Sequence, residues 1–260
     1  MDMTSGLKEY LKMISAAGGR IFLAAFFMAL AVSVSLSGCG REEEDGDTGT
    51  TDGESDYTLE TKVVDAMNDP VFGDYGRLIF PVDKSISDDL ELQDVGDILT
   101  WYNNVDPERT VEIANYLRDQ AASGDQIFYD IYTDEEKAED PDKENTGLFF
   151  FRGEPGAKTA IVNAGGGFAY VAAMHDSFPQ ALELSKKGYN AFALIYRPGA
   201  DTACEDLARA IAFLHEHGQE LDIDMADYSL WGGSAGARMA AWLGSYGTAA
   251  FGENEYPAPA

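Results

Sequence analysis

The chain has 260 residues, 45% of them hydrophobic and 25% charged, enough for one folded domain and inconsistent with wholesale disorder. Its 46 acidic residues against 18 Lys and Arg leave a formal net charge of −28, a field that repels a phosphate backbone and argues against nucleic acid as a partner. Two cysteines, Cys39 and Cys204, and three histidines, His175, His215 and His217, are too few for a disulfide scaffold or a Cys/His zinc centre, so no metal or cofactor is expected.

The first predicted element is an export signal over residues 1–38. Lys8, Lys12 and Arg20 precede a charge-free run from Ile21 to Leu36, which is short for a span of roughly 20 residues and fits a secretory h-region. Leu36-Ser37-Gly38-Cys39 then resembles the cleavage box of bacterial lipoproteins. That resemblance implies that the Cys39 thiol receives a diacylglycerol and becomes the new N-terminus. The mature chain would be exported and anchored by lipid to the extracytoplasmic face of a bacterial membrane; an uncleaved anchor is the alternative, and it too exports the rest of the chain. Residues 39–60 are acidic and rich in Gly and Thr, with almost no large apolar group to bury, and read as a self-repelling tether.

From 61 to 125 the pattern is a helical extension. Asp106-Pro107 is an N-cap followed by proline at the first helical position, and Val111, Ala114, Leu117 and Ala121 recur at helical spacing up to Gly124. Tyr75, Phe80, Trp101 and Tyr102 read as packing residues, with substrate stacking open for one of them.

Residues 126–260 alternate strands with helices. Strands are predicted at 126–132, 148–151, 158–163, 190–196 and 228–231, with a polar loop over 133–146. A helix is predicted from Phe178 to a stop at Gly188, a second opening with a Thr202/Glu205 capping box, and a third over Gly236–Leu243. Cys204 falls in the second and reads as a small buried hydrophobe. The fold class is α/β, with a mostly parallel sheet.

The last strand runs into Gly232-Gly233-Ser234-Ala235-Gly236, a G-x-S-x-G sequence set directly between strand and helix. In that setting a serine sits on a strained turn with its hydroxyl exposed, glycines remove Cβ atoms where strand and helix converge, and the helix N-terminus faces developing negative charge. Upstream, Asn163-Ala164-Gly165-Gly166-Gly167-Phe168 follows another strand. These two motifs, with Tyr196-Arg197-Pro198 and Glu205-Asp206, resemble the esterase/lipase branch of the α/β-hydrolases over about residues 126–243. Ala164 stands where that branch has histidine.

The resemblance implies Ser234 as nucleophile, the N–H groups of Gly166, Gly167 and Ala235 as oxyanion hole, a small ester as substrate and an acyl-enzyme intermediate. Arg197 and Asp206 read as an ion pair holding the turn. The family order is Ser, then acid, then His. Only Glu253 and Glu255 follow Ser234 as acids, and every histidine precedes it. The chain is therefore expected to be the N-terminal part of a longer hydrolase whose later strands carry acid and base, and to turn over poorly alone. A peptidase of the same fold and a non-catalytic surface-binding lipoprotein remain open as alternatives.

Overall fold

Runs rich in Phe, Ala, Ile and Val form the strands β1 (Phe128–Tyr129), β2 (Gly147–Phe151), β3 (Lys158–Asn163), β4 (Asn190–Ile195) and β5 (Asp224–Gly232). The computed structural model describes residues 56–102 and 105–260, and in it these strands make one sheet in the order β1-β2-β4-β3-β5. β3 pairs in parallel with β4 and β5, whereas β2 runs antiparallel to both β1 and β4. All residues of β2 and β4 are buried, as a strand covered on both faces requires.

The described α-helices are α1 (Val63–Met67), α2 (Pro107–Ala122), α3 (Asp134–Glu139), α4 (Phe178–Lys186), α5 (Ala200–His217) and α6 (Ala235–Tyr246). Side-chain alternation along β2 divides them between the two faces of the sheet. Phe149 and Phe151 meet Phe178 of α4, at ring centroid distances of 5.0 and 5.4 Å. Phe150 turns the other way, stacks on Phe192 at 4.1 Å and meets Tyr129, which itself touches Phe213 of α5. The fully buried rings of Phe149, Phe150, Phe151, Phe178 and Phe192 each contribute roughly 1.5–3 kcal/mol. α2 lies beside α4, and α6 packs on β3 and β5 beside α5.

Several expectations shift. The strand expected over 126–132 shrinks to two residues: Tyr129 pairs with Leu148, leaving only Gly147 beyond, and Tyr132 is drawn away to donate to Asp206 at 2.6 Å. The polar loop holds α3, opened by a Thr133/Glu136 capping box, and a 3-10 turn over Pro141–Asn145. α5 begins at Ala200 without the expected capping box, because Thr202 donates to the Pro198 carbonyl at 2.6 Å and Glu205 reaches Arg197. β5 and α6 are longer than predicted. In α2 the Asp106 cap is present, accepting from Glu108 N at 3.0 Å, but the buried face turns to Thr110, Ile113, Ala114, Leu117 and Arg118.

The tether ends earlier than residue 60. Tyr57 N donates to Asn115 Oδ1 at 2.8 Å, and Asn115 Nδ2 returns a bond to the Tyr57 carbonyl at 2.9 Å. The signal segment, Cys39 and most of the tether lie outside the described residues. Among the described residues no helix is long and apolar enough to cross a membrane. Cys204 is fully buried, and burial pushes its thiol up to about 11. The sheet order, its antiparallel entry and the flanking helices make this an α/β-hydrolase fold.

Candidate active site

β5 delivers the chain to Ser234, whose φ of 50° and ψ of −113° lie outside the regions open to most side chains. α6 starts at the next residue. Only Gly fits at 236, because a Cβ there would strike the Asn163 carbonyl oxygen at the end of β3. Asn163 also fastens the turn from below: its Nδ2 donates to the Trp231 carbonyl at 2.9 Å and its own carbonyl accepts from Gly233 N at 3.3 Å. Ala235 is buried, and as the first residue of α6 its N–H has no acceptor inside the helix.

The loop after β3 faces this turn. Gly166 has φ 142° and a Cβ there would run into the Tyr170 carbonyl, so the position admits only glycine. The loop is tied on all sides: Ala172 N donates to Gly165 O at 3.0 Å, Val171 N to Pro81 O at 3.1 Å and Gly199 N to Phe168 O at 2.8 Å. Tyr196 Oη donates to Ala164 O at 2.7 Å, and Phe168 lies parallel to Trp242 with ring centroids 6.0 Å apart.

Between loop and turn opens a cleft of about 580 Å³ lined by Trp101, Tyr102, Gly166, Gly167, Tyr170, Asp176, Gly233 and Ser234. The structure thus brings Ser234, Gly166 and Gly167 to one cavity, with Ala235 behind the serine. A larger groove of about 800 Å³, bordered by Pro179, Leu184, Tyr189 and Trp231, shares no residue with it.

Sequence reasoning missed Tyr170 and Asp176 and read Trp101 and Tyr102 first as packing residues. Trp101 is instead 53% exposed and donates from Nε1 to Tyr170 Oη at 2.9 Å, with Lys84 Nζ 4.5 Å from its ring centroid. Burial, then the charge of Asp176, pushes the Tyr102 hydroxyl up to about 12. Burial also raises the Asp176 carboxyl, against the opposing pull of hydrogen bonds from Gly165 and Gln180.

None of the histidines lines the cleft. His175 lies 3.1 Å from the Val95 carbonyl through Nε2, and burial lowers its basicity. His215 stacks on Tyr256 at 5.0 Å and is likewise lowered by burial. His217 sits 3.2 Å from Glu220.

Arg197 and Asp206 form the pair read from the sequence. Asp206 is fully buried, accepts from Arg197 Nη2 at 2.8 Å and Nε at 3.0 Å, and also takes the Arg197 backbone N–H at 2.7 Å. Among the described residues no group of three or more His, Cys, Asp or Glu is placed to hold a metal ion.

Residues 152–257 match BD-FAE, an α/β-hydrolase-like esterase family. No curated protein matches the chain. Among solved structures, the apo form of Thermogutta terrifontis esterase 2 is 25% identical over 38% of this chain and 40% of its own, with a TM-score of 0.36. The acetyl ester-xyloside bifunctional hydrolase of Caldicellulosiruptor lactoaceticus is 24% identical over 46% of each chain, with a TM-score of 0.41. The same Thermogutta terrifontis enzyme phosphonylated by cyclosarin is 24% identical over 38% of this chain and 41% of its own, at 0.36. The chain thus spans less than half the length of each of these structures, and its match to BD-FAE lies in the α/β-hydrolase portion.

Proposed function

We propose that the protein is a serine hydrolase of carboxylic esters. The observation that carries the reading is the strained Ser234 at the head of α6, facing Gly166 and Gly167 across one cleft. The Ser234 hydroxyl oxygen attacks the ester carbonyl carbon and the carbonyl electrons move onto oxygen. The N–H groups of Gly166, Gly167 and Ala235 receive that charge, each such donor being worth about 2.7–4 kcal/mol in the transition state. Collapse expels the alcohol and leaves an acyl-enzyme, which water cleaves to the acid and free Ser234. The serine proton passes through a general base to the departing alkoxide, which leaves as the alcohol; none of the three histidines lines the cleft. The residues assigned here are the nucleophile and oxyanion half of the machinery. Export and lipid attachment at Cys39 belong to the same proposal and rest on the sequence around that residue.

The aromatic lining of the cleft by Trp101, Tyr102 and Tyr170 favours one competing reading, a surface lipoprotein that binds through this cleft without turnover. The two separate on full-length protein treated with a fluorophosphonate. The hydrolase gives a phosphonyl adduct on Ser234 alone and hydrolyses p-nitrophenyl acetate, and Ser234→Ala abolishes both with an unchanged circular dichroism spectrum. Absence of adduct, or an adduct on another residue, overturns the assignment. Cleavage of peptides in preference to esters moves the protein to a peptidase of the same fold.

A further inference from the structure

We infer that Asp176 is a positioning residue that fixes the Gly165–Gly167 loop against the Ser234 turn and so sets the direction of the Gly166 N–H. The inference deepens the proposed reaction and rests on that reading of Ser234. One carboxylate oxygen, Oδ2, accepts from Gly165 N at 2.7 Å, and the other accepts from Nε2 of Gln180, four residues on in the first turn of α4, at 2.7 Å. The same Oδ2 closes on the catalytic turn from the opposite side. A Cβ built on Gly233 would stand 2.5 Å from it; one on Gly165 would stand 3.2 Å from it and 3.1 Å from Ser234 Cβ. A single oxygen atom is thus wedged between the two backbone segments that must face each other across the reacting carbonyl.

The geometry of the peptide unit extends this hold to the oxyanion. In a trans peptide, the Gly165 carbonyl and the Gly166 N–H belong to one plane and point in opposite directions. The Gly165 carbonyl is held by Ala172 N at 3.0 Å, while Asp176 holds the N–H of the preceding peptide plane. Both holders lie within one five-residue stretch leading into α4, so the helix end grips two successive planes and leaves the Gly166 N–H directed away from it. Three consecutive glycines would otherwise leave this loop the widest conformational freedom in the chain. The charge of Asp176 is felt by Tyr102, from the extension, and by Tyr196, whose hydroxyl donates to the Ala164 carbonyl; His175 beside it turns to Val95. None of the residues lining the cleft is a cation.

A carboxylate kept in such surroundings has a cost that a scaffold residue would not carry. Burial raises its pKa, so the folded chain favours the neutral acid, and stability falls as pH rises from the ordinary carboxylate range through the raised value. At neutral pH, Asp176→Asn is therefore expected to leave the melting temperature unchanged or raise it.

The test compares wild type, Asp176→Asn and Asp176→Ala, made from the natural reading frame. Three readouts are taken: ester turnover, the rate of Ser234 phosphonylation, and the amide NMR shifts of Gly165 and Gly166. Asp176→Ala is expected to lower kcat and phosphonylation roughly 10–100-fold with KM changed by less than about twofold. Asp176→Asn, which keeps an acceptor for Gly165 N, is expected to recover part of the rate. In wild type the Gly165 amide proton shifts as Asp176 is titrated, and both substitutions remove that titration. Wild-type rates in both variants overturn the inference, as does a fall in melting temperature that accounts for the lost rate. Complete loss in Asp176→Asn with a changed pH profile makes Asp176 a base and overturns it too. If wild type forms no adduct at Ser234, the functional reading fails. The Gly165 and Gly166 shifts then still decide whether Asp176 holds the loop.

Discussion

Ser234 is a non-glycine residue held at φ 50°, a conformation that typically costs about 1–3 kcal/mol. Glycine occupies that region without penalty, so Ser234→Gly is expected to raise stability by roughly 1 kcal/mol over Ser234→Ala while both abolish labelling. Urea denaturation of the two variants checks it, and equal midpoints would show that the turn is unstrained. Asp206 sits at the opposite extreme. It takes four hydrogen bonds from Arg197 and Tyr132 side chains and one from the Arg197 backbone N–H, all in a buried setting. Asp206→Ala leaves the buried Arg197 guanidinium with only Asp140 at 2.7 Å and Glu205 at 3.3 Å and takes the acceptor from the Tyr132 hydroxyl, so it is expected to cost about 3 kcal/mol. Its signature is a lower thermal midpoint together with weaker protection of the Arg197 and Pro198 turn from proteolysis. A loss below about 1 kcal/mol would place the pair among ordinary surface ion pairs.

At the scale of single elements, β5 is the edge of the described sheet. Its outer side receives one backbone bond, from Ala260 N to the Tyr228 carbonyl at 2.9 Å, and Trp231 on it is 45% exposed. The Trp231 side chain leaves by a face of the sheet, where its Nε1 donates to Ser229 Oγ at 2.8 Å and its ring borders the 800 Å³ groove. Trp231→Lys is therefore expected to lower the binding of an apolar fluorescent dye without changing the far-ultraviolet spectrum; unchanged dye binding would clear this groove as the exposed apolar surface.

Elements built from local pattern were legible in the sequence. β3 has the predicted bounds because its apolar run lies between a turn and the glycines, and the strand–turn–helix around Ser234 is dictated by glycines that nothing else could replace. Elements decided by distant partners were not. Tyr132 leaves its strand for Asp206, and Glu205 leaves a capping box for Arg197. The cleft shows the same division. Gly166, Gly167 and Ser234 announce themselves by motif, but Trp101, Tyr170 and Asp176 come together from three segments with no shared spacing. For Asp176 the only local trace was a carboxylate just before a helix, which occurs at many helix ends.

For the whole molecule, the acidic field and the proposed anchor act together. A chain of net charge −28 is repelled by an anionic membrane surface, so retention there would fall to the acyl chains, at about 0.8 kcal/mol per buried CH₂. Cys39→Ser is expected to abolish incorporation of labelled palmitate and to release the protein from membranes; label retained in that variant would remove Cys39 as the attachment point. The placement of the tryptophans has an optical consequence. The sequence holds three: Trp101 in the wall of the cleft, Trp231 three residues before Ser234, and Trp242 stacked on Phe168 beside the glycine loop. Every indole that fluoresces therefore reports from the end of the sheet where Ser234 sits, and none from the far side of the fold. Occupation of the cleft should change the intensity and colour of the emission, and Trp101→Phe should remove most of that change, giving a binding signal that needs no turnover, label or added chromophore.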